Sequence, residues 1–309
     1  QRGVALLVAI LLVALGTIIA AAMAYDNAMT ARRAAASFDF DQALLVAEGA
    51  EALAAYGLQQ TASQNPQYIY PGQPWSQPLP PTEVIPGVML EASLEDLQGR
   101  FNVNELVGSD GNAPNPGAIT AFQRLLTMLG LDPKYADLLV DWIDKNTVPM
   151  SDGAEDSVYM ELDPPFRTPN LPITSTSELL ARPGFTRADF NKLAPYIAAL
   201  PIGAQINVCS ASPLVLDALS GVVQYSSNPA GFAQDRQAAG TCFPTEAEFL
   251  KALSPTLSPQ ITPLVTQTST WFRLTSFVDQ GSTEFAVYTT LYLTQTHQAR
   301  PVMRSFTPD

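Results

Sequence analysis

Near its start the chain has a long stretch in which every position is uncharged. From Val4 to Ala24 it reads VALLVAILLVALGTIIAAAMA, about 21 residues, or roughly 30 Å as a helix, which is enough to cross a bilayer core. A secretory signal has an apolar core of only ~7–15 residues followed by a break and a small-residue cleavage site, and no such break follows here. The Ala-rich pattern continues past Arg32, Arg33, Asp39, Glu48 and Glu51 to about Tyr56, predicting one helix of ~50 residues, roughly 80 Å long. Its first part is apolar all round. Its second part is amphipathic, with Phe38, Leu44, Leu45, Ala52 and Leu53 as packing positions.

Beyond the helix the pattern changes twice. Residues 59–82 are rich in Pro, Gln and Ser and read as a connecting loop. Gly87–Leu97 alternates as a strand, and so do Thr268–Val278 and Glu284–Thr296, joined by the turn Asp279-Gln280-Gly281-Ser282. In the last strand Phe285, Val287, Leu291 and Leu293 share one face, and Ala286, Tyr288, Thr290 and Tyr292 the other. Between the strands the sequence is helical and well capped. Asp132-Pro133 opens a helix with the apolar stripe Leu138, Leu139, Trp142 and Ile143. Ser175-x-x-Glu178, Thr186-x-x-Asp189 and Thr245-x-x-Glu248 have the form of capping boxes. The reading is an α+β chain in four parts: an N-terminal helix over 1–57 with its membrane span at 4–24, a first sheet segment at 58–110, an inserted all-helical domain at 111–257, and strands at 258–309 that complete an antiparallel sheet.

Composition narrows the chemistry. The 309 residues carry 16 Lys and Arg against 29 Asp and Glu, a formal net charge of -13. A phosphate backbone would be repelled by most of that surface, which argues against nucleic acid as a partner. The single histidine, His297, cannot supply a two-histidine zinc site, and any Ser-His-Asp triad would have to use it. No Gly-x-Ser-x-Gly, Walker or Gly-x-Gly-x-x-Gly motif occurs. His297, at the end of the last expected strand, reads as a surface residue.

A membrane-embedded helix running into a globular head resembles the plan of type IV pilins and pseudopilins. Gln1-Arg2-Gly3 before Val4 resembles the end of the basic leader that a prepilin peptidase removes after glycine, with Arg2 on the cytoplasmic side. Most pilins have glutamate at the fifth mature position. Here that position is Val8, or Ala5 if Gln1 is the mature terminus, and no acid lies nearby. Further along, Gly99-Arg100-Phe101-Asn102-Val103-Asn104-Glu105-Leu106 resembles a GRFNLN-x-L segment. Asp141-Trp142-Ile143-Asp144 with Gly153-Ala154-Glu155-Asp156 and Tyr159 resembles a DW-[LI]-D…GAED-x-x-Y stretch. Glu178-Leu179, Leu193-x-Pro195-Tyr196-Ile197 and Ala199-Leu200-Pro201 follow in order, and Ile206-Asn207-Val208 resembles the start of an NVNTA segment, from which the chain departs by reading Asn-Val-Cys-Ser-Ala. Together these resemble the minor pseudopilin K family of type II secretion. The resemblance implies a type IV pilin-like fold with a large inserted helical domain. It implies a non-enzymatic role at the pseudopilus tip, where K initiates or caps assembly for export of folded proteins across the outer membrane. The implied location is the bacterial inner membrane, single-pass, with a cytoplasmic N-terminus and a periplasmic head. Implied partners are minor pseudopilins I and J, then H and the major pseudopilin G, with exported substrates as further candidates. Processing would fall between Gly3 and Val4.

Two clusters carry candidate chemistry. Asp144, Asn146, Asp152, Glu155 and Asp156 place five oxygen-bearing side chains in one loop, the donor type that Ca2+ takes. Their spacing is not that of an EF-hand. The family binds calcium in its insert, so the resemblance implies Ca2+ here; a solvated acidic loop held by Asx turns is the other reading. Cys209 and Cys242, an even number in an extracytoplasmic setting, point to a disulfide, with two buried thiols as the alternative. Trp142, Trp271, Phe272, Tyr288 and Tyr292 read as core residues or as part of a partner surface. The competing function of another class is a membrane-anchored periplasmic enzyme using carboxylates such as Glu155 and Asp156. A helix-hairpin-helix nucleic-acid binder is a third reading.

Overall fold

A computed structural model of the protein describes residues 2–281 and 283–308, with the side chain of Arg2 outside that set. The readings that fall on Gln1, the Arg2 side chain and Ser282 therefore lie outside the described residues.

Helix α1 spans Arg2–Gln64. It is longer than the pattern predicts because nothing breaks it at Tyr56. The first obstacle is Pro66, whose ring disfavours helical geometry at Asn65. The buried face also differs from expectation. Ala43, Ala47, Ala50, Leu58 and Ala62 pack on the sheet, whereas Phe38, Leu45 and Leu53 stand 68, 67 and 66% exposed. Methyl-sized side chains let the helix axis approach the sheet closely, so size rather than hydropathy selects the packed face. Within the first part of α1, Val4–Met23 is exposed along its whole circumference, and this helix is long and apolar enough to cross a membrane.

Strand β1 (Leu79–Ile85) lies in the segment read as a loop. Its Pro80 and Pro81 conceal it from pattern reading, and both are compatible with an edge strand. Next come β2 (Val88–Asp96), then the insert with helices α2 (Pro116–Met128), α3 (Tyr135–Ile143), α4 (Asp156–Tyr159), α5 (Arg187–Leu193), α6 (Pro213–Ser220), α7 (Pro229–Ala239), α8 (Glu246–Ala252) and α9 (Ser258–Ile261). Two short parallel pairs stitch the insert, β3 (Phe101–Asn102) with β4 (Ile197–Ala198) and β5 (Ile206–Asn207) with β6 (Val265–Thr266), so it is helical but not purely so. Strands β7 (Trp271–Gln280), β8 (Thr283–Leu293) and β9 (Ala299–Ser305) close an antiparallel sheet of order β1-β2-β7-β8-β9. β8 stops at Leu293, short of the expected Thr296, because Thr294–His297 turns the chain into β9, a strand the pattern did not predict; His297 sits at φ 59 in that turn.

β2 pairs with β7 along its full length, Val88↔Gln280 to Asp96↔Phe272. Everything from 97 to 270 is therefore inserted between neighbouring strands, a wider span than 111–257. Two cores result. One joins α1 to Val88, Leu90, Phe272, Val278, Val287 and Leu291 of the sheet. The other lies within the insert around Phe101, Phe122, Leu139, Tyr159, Leu216 and Phe249. Residues whose expected face is buried behave accordingly: all nine residues of α3 are buried, and Val287, Leu291 and Leu293 face the helix. The capping boxes at Ser175, Thr186 and Thr245 are all formed.

The orientation of the insert follows from contacts along α1. Gln280, at one end of β7, donates to Asp39 and Gln42 in the part of α1 that follows the apolar segment. Thr289 donates to Glu51 one stage further along. Phe272, at the other end of β7, meets Trp75 beyond the end of α1. Asp96 and Trp271, between which the insert departs and returns, thus lie at the end of the sheet farthest from the apolar segment.

Candidate functional site

The acidic loop begins where α3 ends. Asp144 caps that helix and is 1% exposed. Its Oδ2 accepts from Asn146 Nδ2 at 2.7 Å, and its Oδ1 is buried with no donor in reach among the described residues. Glu155 is 6% exposed; Oε2 accepts from Thr168 Oγ1 at 3.4 Å, and Oε1 is likewise without a donor. Asn170 adds a third such oxygen, its Oδ1, while its Nδ2 donates to Asn146 O at 3.2 Å. Behind them Asp141, fully buried, accepts from Met150 N at 3.0 Å. Gly153 is required beside it, because a Cβ there would fall 1.8 Å from Asp141 Oδ2.

The electrostatics match this geometry. Burial pushes the Asp144 and Glu155 carboxyls up, and the charge of Asp144 raises Glu155 further. Burial, followed by the charges of Glu155 and Asp144, takes Asp141 up to about 7. Buried acceptors without donors are costly, and a hard cation satisfies such oxygens while relieving their repulsion. Asp144, Glu155 and Asn170 thus each present an unsatisfied oxygen of the type that Ca2+ takes.

Other members of the expected ligand set are engaged elsewhere. Asp156 accepts from Thr168 N and Oγ1, both at 3.0 Å, and pairs with Arg167 at 3.1 Å. Asn146 Oδ1 accepts from Val148 N at 2.8 Å. Asp152 is exposed, and its backbone N–H donates to Asp137 Oδ2 at 3.2 Å. Among the described residues no three His, Cys, Asp or Glu side chains are gathered as a metal would need. Asn170 carries no spacing signal; it lies fourteen residues beyond Asp156, and only the fold brings it to the loop.

Cys209 and Cys242 form a disulfide, both buried, with Cα atoms 4.7 Å apart. Beside it the half-buried Arg236 donates to the carbonyls of Val208, Ala211 and Phe243, so α7 and the turn after it are held to residues 208–211, which follow β5, both by the disulfide and by this guanidinium. The motif asparagines act as backbone clasps. Asn104 bonds Ile173 N and O and Leu200 O; Asn102 bonds Leu200 N and Pro201 O. These are positions where the side-chain amide replaces a strand partner.

An apolar groove of about 450 Å³ lies between the outer face of the sheet and the insert, walled by Trp271, Val302, Met303, Ile173, Ile197 and Ile202. Among the described residues that line it there is no Asp or Glu. Trp271 packs against the small buried cluster of Leu97, Ala198, Leu200 and Ala204, and its ring lies 4.8 Å from that of Tyr292 between centroids.

Comparison with known proteins adds three findings. A family model described as "Type II secretion system (T2SS), protein K" matches residues 99–202. Type II secretion system protein K of Klebsiella pneumoniae is 37% identical over 220 residues, covering 69% of this chain and 67% of its own length. The protein of the same name from Pectobacterium carotovorum is 30% identical over 308 residues, covering 95% and 93%. Among solved structures, a chain of the GspK-GspI-GspJ complex from enterotoxigenic Escherichia coli superposes with a TM-score of 0.76 at 22% identity, covering 90% of this chain and 100% of that one.

Proposed function

This chain belongs to the type II secretion system protein K family, and from that premise we propose that it caps the tip of the pseudopilus, with the apolar first part of α1 in the inner membrane and its head in the periplasm. One observation carries the reading. The insert departs from the end of the sheet farthest from the apolar segment, between Asp96 and Trp271. A subunit stacked above would collide with it, whereas subunits beside and below α1 would not. The lack of any acid in Val4–Ala24 agrees, because the topmost subunit has no neighbour above to pair with. The exposed stripe Phe38, Leu45, Leu53 and Tyr56 is the surface on which neighbouring helices would pack. The partners are minor pseudopilins I and J, the companions named in the complex whose chain shares this fold, followed by H and the major pseudopilin G. The role is structural, not catalytic. A gold label on the exposed Lys192 of the insert should appear at one end of isolated pseudopili. Labels spaced along the fibre would reject the tip position.

We further propose that Ca2+ binds at Asp144 and Glu155 with Asn170, closing the loop on α3. Bound calcium would supply charge compensation, not chemistry. Calorimetric titration should detect binding that Asp144→Ala or Glu155→Ala abolishes, and that Asp156→Ala only weakens. Unchanged titrations in the first two variants would remove the assignment. Processing between Gly3 and Val4 is read from the leader-like Arg2-Gly3 and is checked by the N-terminal mass of the membrane-inserted chain.

A further inference from the structure

Two motif residues, Gly99 and Asn207, take no part in the function proposed above. They meet at the crossing where the insert leaves and rejoins the sheet. Three stretches of chain converge there: the end of β2 with residues 97–99, the β5 segment of the insert, and the return at 267–271.

Asn207 is fully buried. Its two Nδ2 protons are shared among Ile69 O at 2.7 Å, Ser269 Oγ at 2.8 Å and Asp96 Oδ2 at 3.1 Å, and its Oδ1 accepts from Cys209 N at 3.0 Å. Asp96 in turn accepts from Ser269 Oγ at 2.6 Å and from Gln98 N at 2.9 Å. Gln98, also buried, reaches both ways: Oε1 accepts from Thr270 N at 2.6 Å, and Nε2 donates to Gln205 O at 2.6 Å. Next to it Gly99 is in backbone contact with the insert, for a Cβ at that position would lie 2.9 Å from Ser210 O.

The bonds from Asn207 to Asp96 and Ile69, the bond from Gln98 to Gln205 and the approach of Gly99 to Ser210 cross between the sheet side and the β5 segment of the insert, and the other bonds hold these side chains in place. A flexible joint would leave such polar groups to water. Here they are buried and mutually satisfied, which penalises any rotation that separates them. Hydrophobic packing alone tolerates sliding; a donor–acceptor set in fixed geometry does not. We infer that Asp96, Gln98, Gly99 and Asn207 form an interdomain lock that fixes the angle of the insert on the sheet, as positioning residues independent of the folding of either core. The inference does not depend on the tip assignment, since it concerns the isolated subunit.

The test uses the full chain in detergent with nitroxide pairs at the exposed positions Glu91 and Lys192, or Glu91 and Lys251, measured by pulsed dipolar spectroscopy. The native disulfide is buried and stays unlabelled. The wild-type chain should give one narrow distance for each pair. Asn207→Ala should broaden both distributions, and Gly99→Ala should shift their means, while hydrogen-exchange protection of α2, α3 and β7 stays as in the wild type. The combined swap Asp96→Asn with Asn207→Asp, which exchanges donor and acceptor across the junction, should narrow the distributions relative to Asn207→Asp alone. Distributions as narrow and as centred as wild type in Asn207→Ala and Gly99→Ala would overturn the lock. Loss of protection in α2 and α3 in either variant would overturn it as well, by assigning these residues to the folding of the insert itself.

Discussion

The sheet head and the insert are held together by different means. In the head, alternation and the backbone ladder do most of the work: β7 presents Phe272, Leu274, Ser276 and Val278 to α1 and its other residues outward, and β2 and β8 repeat the scheme over most of their length. Polar side chains enter mainly at one clasp, where Arg304 grips Glu51 through Nε and Nη2, both at 2.7 Å, and Thr289 donates to the same carboxylate. The insert has an apolar core too, but its helices are short and its loops long. There, buried polar residues substitute for regular pairing. Asp217 accepts from the backbone N–H groups of Gln224, Tyr225 and Ser226 at 3.0, 2.9 and 2.8 Å, and Asn102, Asn104 and Asp141 do the same elsewhere. The head thus tolerates any sequence of the right period, while the insert needs specific residues at specific places.

If the two regions are separate cooperative units, the largest effect should come from Phe122→Ala in the insert core, at about 3–5 kcal/mol for a fully buried phenylalanine. Hydrogen exchange should then show α2 and α3 unprotected while β7 and β8 remain protected; equal loss in both regions would mean one unit. The polar dependence is sharpened by Asp217→Ala, which strands three backbone donors and should cost roughly 3 kcal/mol. In the head, Ser276→Ala should cost well under half of that, and chemical denaturation of the two variants compares them directly.

A pH titration probes the seam between the regions. Burial takes Asp96 up from 3.8 to about 6, so the folded protein binds a proton that the unfolded chain releases between those values. Its contribution is therefore greatest below pH 3.8 and is lost as pH rises through 6, about 3 kcal/mol from this group. Asp96→Asn should flatten that part of the stability profile, and an unchanged slope would show that Asp96 is not its source. The smallest effect on stability, within about 0.5 kcal/mol, is expected of Leu45→Ser and Leu53→Ser on the exposed face of α1. The same changes should still reduce secretion if that face packs against other subunits.

The contrast also accounts for what pattern reading recovers. The apolar segment, β7, most of β8 and the three capping boxes are visible because each has a period or a local signature. β1 is hidden by Pro80 and Pro81, and the packed face of α1 by alanines that carry little hydropathy. In the acidic loop, Asp144 and Glu155 are legible as acids. Nothing in their spacing distinguishes them from Asp156, whose oxygens are taken by Thr168 and Arg167, and nothing announces Asn170. Those distinctions depend on which donors the fold brings near, which is a long-range property.

The central claim is that this chain assembles at the tip with its two companions. Co-purification of the full chain in detergent with minor pseudopilins I and J of the same bacterium, read by size exclusion and native mass spectrometry, tests it most directly. The account predicts a 1:1:1 complex that survives dilution. Three proteins eluting separately, with calcium present and the Cys209–Cys242 disulfide intact, would contradict it.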